Sequence, residues 1–253
     1  MTSKSDLLFI KSLHQKKYRE QHGLFIVEGT KMLNELLTSG LNLYAIYALE
    51  TYLPFLQIST KLPENIKIAA VTEAQLRKMS TLHTPNRVLA VAYVPQDDDL
   101  LPLSPDYFRR NMLLALDGVQ DPGNMGTIIR IADWFGIRTV LASENSVEFY
   151  NPKVVQASMG SLFRVKLRQL SLVEVFKSLK VSVYGALLEG RNIYEEEFGE
   201  KGILLLGNES KGISPELKAY ITHPVTIPRF GAAESLNVAT AAAVICSEIR
   251  RKF

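Results

Sequence analysis

The residues with chemistry to offer fall in three short clusters, each shortly after an apolar run. Asn124 and Arg130 follow Met112–Leu116, Gly207, Asn208 and Glu209 follow Ile203–Leu206, and Ser235 and Asn237 follow Val225–Ile227. Apolar runs of this length suit parallel strands buried on both faces. In open α/β sheets, ligands sit in the loops beyond the carboxyl ends of the strands. Repetition of one strand–loop–helix plan with polar residues in each loop predicts that the three clusters form a single ligand site.

Several chemistries are excluded at once. Gly118 to Gly123 and Gly207 to Gly212 have the spacing of a phosphate loop, but Asn124 and Ile213 stand where its lysine belongs. No G-x-G-x-x-G is present, so neither a dinucleotide fold nor an ordinary Rossmann-type methyltransferase loop is supported. Cys246 is the single cysteine, which excludes a disulfide within the chain and reads as a buried thiol. The four histidines show no metal-ligand spacing, so no metal is expected. No apolar run reaches the roughly 18 residues of a membrane span, and no secretory segment opens the chain; a cytoplasmic protein with no membrane partner is expected.

The elements that must position these residues can be read in outline. At 253 residues, 47% hydrophobic and 22% charged, the chain suits one large or two modest globular domains. A net charge of +3 fits an RNA partner without requiring one. Residues 1–19 carry Lys4, Lys11, Lys16, Lys17 and Arg19 against Asp6 and read as a short basic amphipathic helix, either a solvated face or an RNA-touching edge. Strands at 24–27, 43–49, 66–71 and 87–94 alternate with helices at 30–39 and 72–80, the latter opened by the capping box Thr72 to Gln75. This is a small α/β domain, residues 1–100, without a catalytic cluster. The composition shift Gln96–Pro105, an acidic run followed by two prolines, marks the boundary, with 101–110 as the linker. Residues 111–253 form a second α/β domain, with Asp117–Gly126 a loop, Thr127–Phe135 a helix, and Ser235 the expected N-cap of the last helix.

Asn124-Met-Gly-Thr-Ile-Ile-Arg130, Leu206-Gly-Asn-Glu-Ser-Lys-Gly212 and Ile227-Pro-Arg-Phe-Gly-Ala-Ala-Glu-Ser-Leu-Asn-Val238 resemble, in order and spacing, the three signature motifs of the SpoU/TrmH family of RNA ribose 2′-O-methyltransferases. The resemblance covers roughly residues 110–253. Residues 24–94 resemble the family's substrate-binding domain, itself similar to small RNA-binding ribosomal proteins of L30e-like fold. Arg229 departs from the pattern, which usually has an apolar residue there. Asn151 to Arg164 resembles another family segment, with dimer packing or RNA contact as its expected role.

The resemblance implies a trefoil-knotted C-terminal domain, bound S-adenosylmethionine, a homodimer that completes each active site, and an rRNA or tRNA substrate. Carried onto matching positions, Gly207, Ile227 and Leu236 would cradle the cofactor. Asn124, Arg130, Glu209, Ser235 and Asn237 would form the catalytic shell. Methyl transfer to a ribose hydroxyl needs alignment and help with a proton. Arg130 could act as the base or as a bidentate clamp on an RNA phosphate; a guanidinium is a poor base, which argues against the first role. The alternatives are a catalytically silent RNA-binding protein keeping the knot and, more distantly, a metal- or nucleotide-dependent hydrolase.

Overall fold

The computed structural model describes residues 2–59, 62, 66–96 and 104–253. The chain divides into two units, residues 1–100 with 150–163 and residues 101–149 with 164–253.

In the first unit, helices α1 (Lys4–Ser12) and α2 (Lys16–His22) precede β1 (Leu24–Glu28), α3 (Thr30–Thr38), β2 (Leu43–Leu49), α4 (Leu53–Ser59), β3 (Lys67–Val71), α5 (Glu73–Met79) and β4 (Val88–Tyr93). The sheet order is β1-β4-β2-β3, with β4 antiparallel to both neighbours and β2 parallel to β3. Ile10 and Leu13 pack with Ile26, Tyr47, Met79 and Leu89 in a core that ties the N-terminal helices to the sheet. The single basic helix expected at the N-terminus is two helices. Leu13 and His14 break the chain, and buried Arg19 fixes the break by donating to the Leu13 carbonyl at 2.6 Å. The capping box at Thr72 and Gln75 is present with both reciprocal bonds.

The second unit runs α6 (Pro105–Arg110), β5 (Met112–Leu116), α7 (Pro122–Trp134) and β6 (Thr139–Ala142). Then α8 (Pro152–Ser158) belongs to the first unit, where Tyr150 meets Phe25 at 4.8 Å between ring centroids. The second unit resumes with β7 (Lys166–Gln169), α9 (Leu172–Lys177), β8 (Val183–Asn192), β9 (Gly202–Leu206), α10 (Pro215–Lys218), β10 (His223–Thr226) and α11 (Val238–Arg251). Its six strands are all parallel, in the order β10-β8-β9-β5-β6-β7. The central strands β5 and β9 are buried at every position, as their unbroken apolar sequences require.

Three further expectations are corrected. Residues 105–110 of the expected linker are a helix capped by Ser104; residues 101–103 lie outside the described residues. Helix α7 starts at Pro122, not Thr127, because the Asp121 side chain accepts the Asn124 N–H and Pro122 is preorganised for a first turn. Asn124 is therefore helical. The cap of the last helix is Asn237, whose Oδ1 accepts from Ala239 and Thr240, and Ser235 lies two residues upstream in exposed loop.

Candidate active site

The three motif loops emerge from the carboxyl ends of β5, β9 and β10. Where β5 ends, Asp117 is buried and its Oδ2 accepts the Ser214 N–H at 2.7 Å, tying the first motif to the chain beyond the second. Gly118 follows in the left-handed region, φ +69°, its N–H donating to Ser143 Oγ at 2.7 Å. Its carbonyl accepts from Asn208 Nδ2, also at 2.7 Å.

After β9, the loop closes on itself. Asn208 and Gly212 exchange backbone hydrogen bonds of 3.0 and 2.9 Å, and Asn208 Oδ1 accepts from Ser210 and Lys211. A Cβ at Gly207 would sit 2.2 Å from the Gly212 carbonyl carbon, so only glycine permits this return.

Within that frame, the side chains join in one direction. Glu209 Oε1 accepts from Asn124 Nδ2 at 2.9 Å, and Asn124 Oδ1 accepts from Asn237 Nδ2 at 2.8 Å. A carboxylate only accepts, so it turns the Asn124 amide nitrogen toward itself and the Asn124 oxygen toward Asn237. The Asn237 oxygen is committed to the start of α11. Each amide in the series is thus oriented by its neighbour.

Beside this chain lies a cavity of about 630 Å³, lined by Gly207, Glu209, Ile227, Ser235, Leu236 and Val238 among others. Its far wall comes from an irregularity in β8. Pairing with β10 jumps from Pro224↔Gly185 to Val225↔Arg191, so residues 186–190 leave the ladder, and Ala186 to Glu189 line the cavity. Gly190 allows the return, since a Cβ there would lie 2.8 Å from the Pro224 and Val225 backbone. Ala241 and Ile245 of α11 close the base. Apolar walls with a polar mouth suit an amphiphilic ligand of nucleoside size.

The structure thus brings together Asn124, Glu209, Asn237, Ser235, Gly207, Ile227 and Leu236. Arg130 stands apart: it is exposed, two turns along α7 from Asn124, with no hydrogen bond or ion pair among the described residues. Asp133, three residues on, pairs with Arg164 at 2.8 Å and not with Arg130. Arg229 donates to the Ala233 carbonyl at 3.3 Å, bracing its own loop. Sequence reasoning missed Asp117 and Ser143, which look like ordinary strand-end residues, and the cavity wall at 186–189. Among the described residues, no group of three or more His, Cys, Asp or Glu could hold a metal, and no helix is long and apolar enough to cross a membrane.

Comparison with known proteins matches this geometry to a family. Residues 111–247 match the SpoU rRNA Methylase family and residues 6–90 the MRM3-like substrate binding domain. The chain is 31% identical over 245 residues to the 23S rRNA (guanosine(2553)-2′-O)-methyltransferase RlmP of Bacillus subtilis, covering 95% of this chain and 94% of that protein. It superimposes on a TrmH-family protein from Porphyromonas gingivalis with a TM-score of 0.88 at 39% identity, covering all of both chains. An AdoMet-bound rRNA methyltransferase from Sinorhizobium meliloti matches with a TM-score of 0.87 at 26% identity, over 100% of this chain and 97% of that one. The chain belongs to the SpoU rRNA Methylase family.

Proposed function

We propose that this protein transfers a methyl group from S-adenosylmethionine to a ribose 2′-hydroxyl of structured RNA. The observation that carries the reading is the oriented chain Glu209–Asn124–Asn237 at the mouth of a nucleoside-sized cavity. Backbone near Gly207, Ile227 and Leu236 would hold the cofactor, which supplies an electrophilic methyl when bound. The cavity fits it: the closed 207–212 loop presents backbone polar groups, and Leu206, Val225, Val238 and Ile245 offer apolar surface to adenine and methionine. Asn237, fixed by Asn124 and the helix start, and exposed Ser235 would align the ribose hydroxyl. Held before the reaction, such dipoles need no reorganisation during it.

Arg130 fits a phosphate clamp better than a base, because a guanidinium is a planar fork of donors that matches phosphate oxygens and has no acceptor for a proton. Its separation from the cavity in one chain supports a homodimer in which the arginine of each copy serves its partner's pocket. The knotted topology of the C-terminal domain, residues 111–253, and a cytoplasmic location belong to the same reading. So does RNA binding by residues 1–100. The ribosomal RNA named for the Bacillus subtilis relative supports rRNA ahead of tRNA.

The test is transfer of labelled methyl from S-adenosylmethionine to bulk RNA from a strain lacking the gene, followed by nucleoside analysis. Wild type and Arg130→Ala are run side by side. A 2′-O-methylated nucleoside formed by wild type, and reduced at least a hundredfold by the variant, is expected. Label on a base would overturn the chemistry, and no label with no cofactor binding would leave a silent RNA-binding protein.

A further inference from the structure

The N-terminal helices hold the chain's charge imbalance. Residues 1–22 contain five Lys and Arg against two Asp and Glu, and the rest of the chain balances at 24 against 24. Lys4, Lys11, Lys16 and Lys17 are all exposed. The same segment contributes two rings to an aromatic row at one end of the four-stranded sheet. His22 meets Phe9 at 5.1 Å between centroids, Phe9 meets Tyr44 at 5.8 Å, and Tyr44 meets Tyr93 at 6.0 Å.

This row is not simply the margin of the core. The β2–β4 register slips between Leu43 and Ala45, which leaves Tyr44 without a ladder partner. Tyr93 ends β4. The two tyrosines remain 37% and 44% exposed, and His22 is exposed as well. Exposed rings on the same two helices and sheet end as a concentrated positive charge offer both parts needed to bind unpaired nucleotides, ring faces for bases and ammonium groups for phosphates.

Resting on the RNA substrate proposed above, we propose that the row His22–Phe9–Tyr44–Tyr93 and the lysines of α1 and α2 form a stacking surface for unpaired nucleotides of that RNA. Charge complementarity selects the occupant: all the chain's surplus positive charge lies in the segment that also builds half the row, which a polyanion exploits. Stacking on a ring face reads no sequence. The surface therefore grips a loop or bulge and supplies affinity, while the choice of ribose remains with the cavity.

The test uses the full-length protein and two RNA probes of equal length, a hairpin with an unpaired loop and a blunt duplex. Binding is followed by fluorescence anisotropy across a salt series. Y44L/Y93L, which keeps apolar bulk but removes the rings, should weaken hairpin binding at least fivefold. Its duplex binding and S-adenosylmethionine Kd should change less than twofold. Y44F/Y93F should restore hairpin affinity to within twofold of wild type. K11E/K17E, on exposed positions outside the core, should weaken hairpin binding and lower the log–log salt slope by about 1 to 2. Unchanged hairpin affinity in the lysine variant, or in the leucine variant, overturns the proposal. So does an equal loss on both probes, or a change in oligomeric state by light scattering, which would mark a protein-facing surface. If wild type neither binds RNA nor transfers methyl, the proposed function itself has failed. If wild type does both and the variants match it, only this surface is refuted.

Discussion

Replacing Gly207 by alanine tests the loop proposed to hold the cofactor at its tightest point. The new Cβ would lie 2.2 Å from the Gly212 carbonyl carbon, 2.3 Å from the Ile213 nitrogen and 2.6 Å from the Gly212 oxygen. All three are backbone atoms, so no side chain can swing aside. Ordinary contact begins near 3.4 Å, so the strands of the loop must separate by about 1.2 Å. That opening strains or breaks the two Asn208–Gly212 backbone bonds, each worth about 1 kcal/mol net. Overpacking adds about 1–3 kcal/mol. A loss of about 2–3 kcal/mol in cofactor affinity corresponds to roughly a 30- to 150-fold rise in Kd. Titration calorimetry with S-adenosylmethionine measures it directly, with thermal unfolding as a control on the fold. Gly212→Ala is the comparison: nothing lies within 4 Å of its Cβ, and only the φ of +68° is unfavourable, at about 1–2 kcal/mol. A Gly207→Ala protein that binds cofactor within threefold of wild type, or more tightly than Gly212→Ala, would refute the steric argument.

Three further perturbations follow. Glu209→Gln offers one oxygen where two now face donors, Asn124 on Oε1 and Asn208 at 3.4 Å on Oε2, so one amide meets a donor; kcat should fall about tenfold while the fold stays intact, and an unchanged kcat counts against the oriented amide chain. Burial pushes the Cys246 thiol up to about 12, so the native protein should resist alkylation at pH 8 and react promptly in guanidinium; fast native labelling would contradict the packing of α11. The hydrogen bond from Lys67 holds the Asp6 carboxyl below its ordinary value of 3.8, so the pair's contribution is complete above that pH and is lost as pH falls through the lower folded value. Both groups are partly exposed, so the effect is small; urea midpoints of Lys67→Met should fall below wild type at pH 6 and converge with it at pH 2.

Much of the fold could be read because buried parallel strands announce themselves. Met112–Leu116 and Ile203–Leu206 need no periodicity to be recognised, and the Thr72–Gln75 capping box is a local device with a local signature. Errors came where a local signal had a competitor. Ser235 and Asn237 are both good caps two residues apart. The choice falls to Asn237, whose amide nitrogen is held by Asn124, 113 residues earlier in the chain. Gly123 and Gly126 suggested a loop through the first motif, yet Asp121-Pro122 starts the helix ahead of them. The residues 186–189 that wall the cavity were unreadable for a different reason. They look like continuous strand, and only the position of β10 reveals the jump in pairing. Of the candidate site residues, Asn124, Gly207, Glu209, Ile227, Ser235, Leu236 and Asn237 lie together and Arg130 does not, and the bonds that orient them are long-range.

The spacing of those motifs has a consequence for biosynthesis. The cavity draws on residues 186–189, 206–213 and 225–245, and its frame on Asp117 and Gly118. At about 5–20 residues per second, a ribosome needs roughly 7–27 s to pass from Asp117 to Arg251. For about the first two-thirds of that interval, until Leu206 is made, β5, buried on both faces in the finished sheet, lacks its β9 neighbour and exposes an apolar edge. The cavity is complete only once α11 has been made. An apolar strand edge exposed for seconds is the kind of surface that chaperones mask.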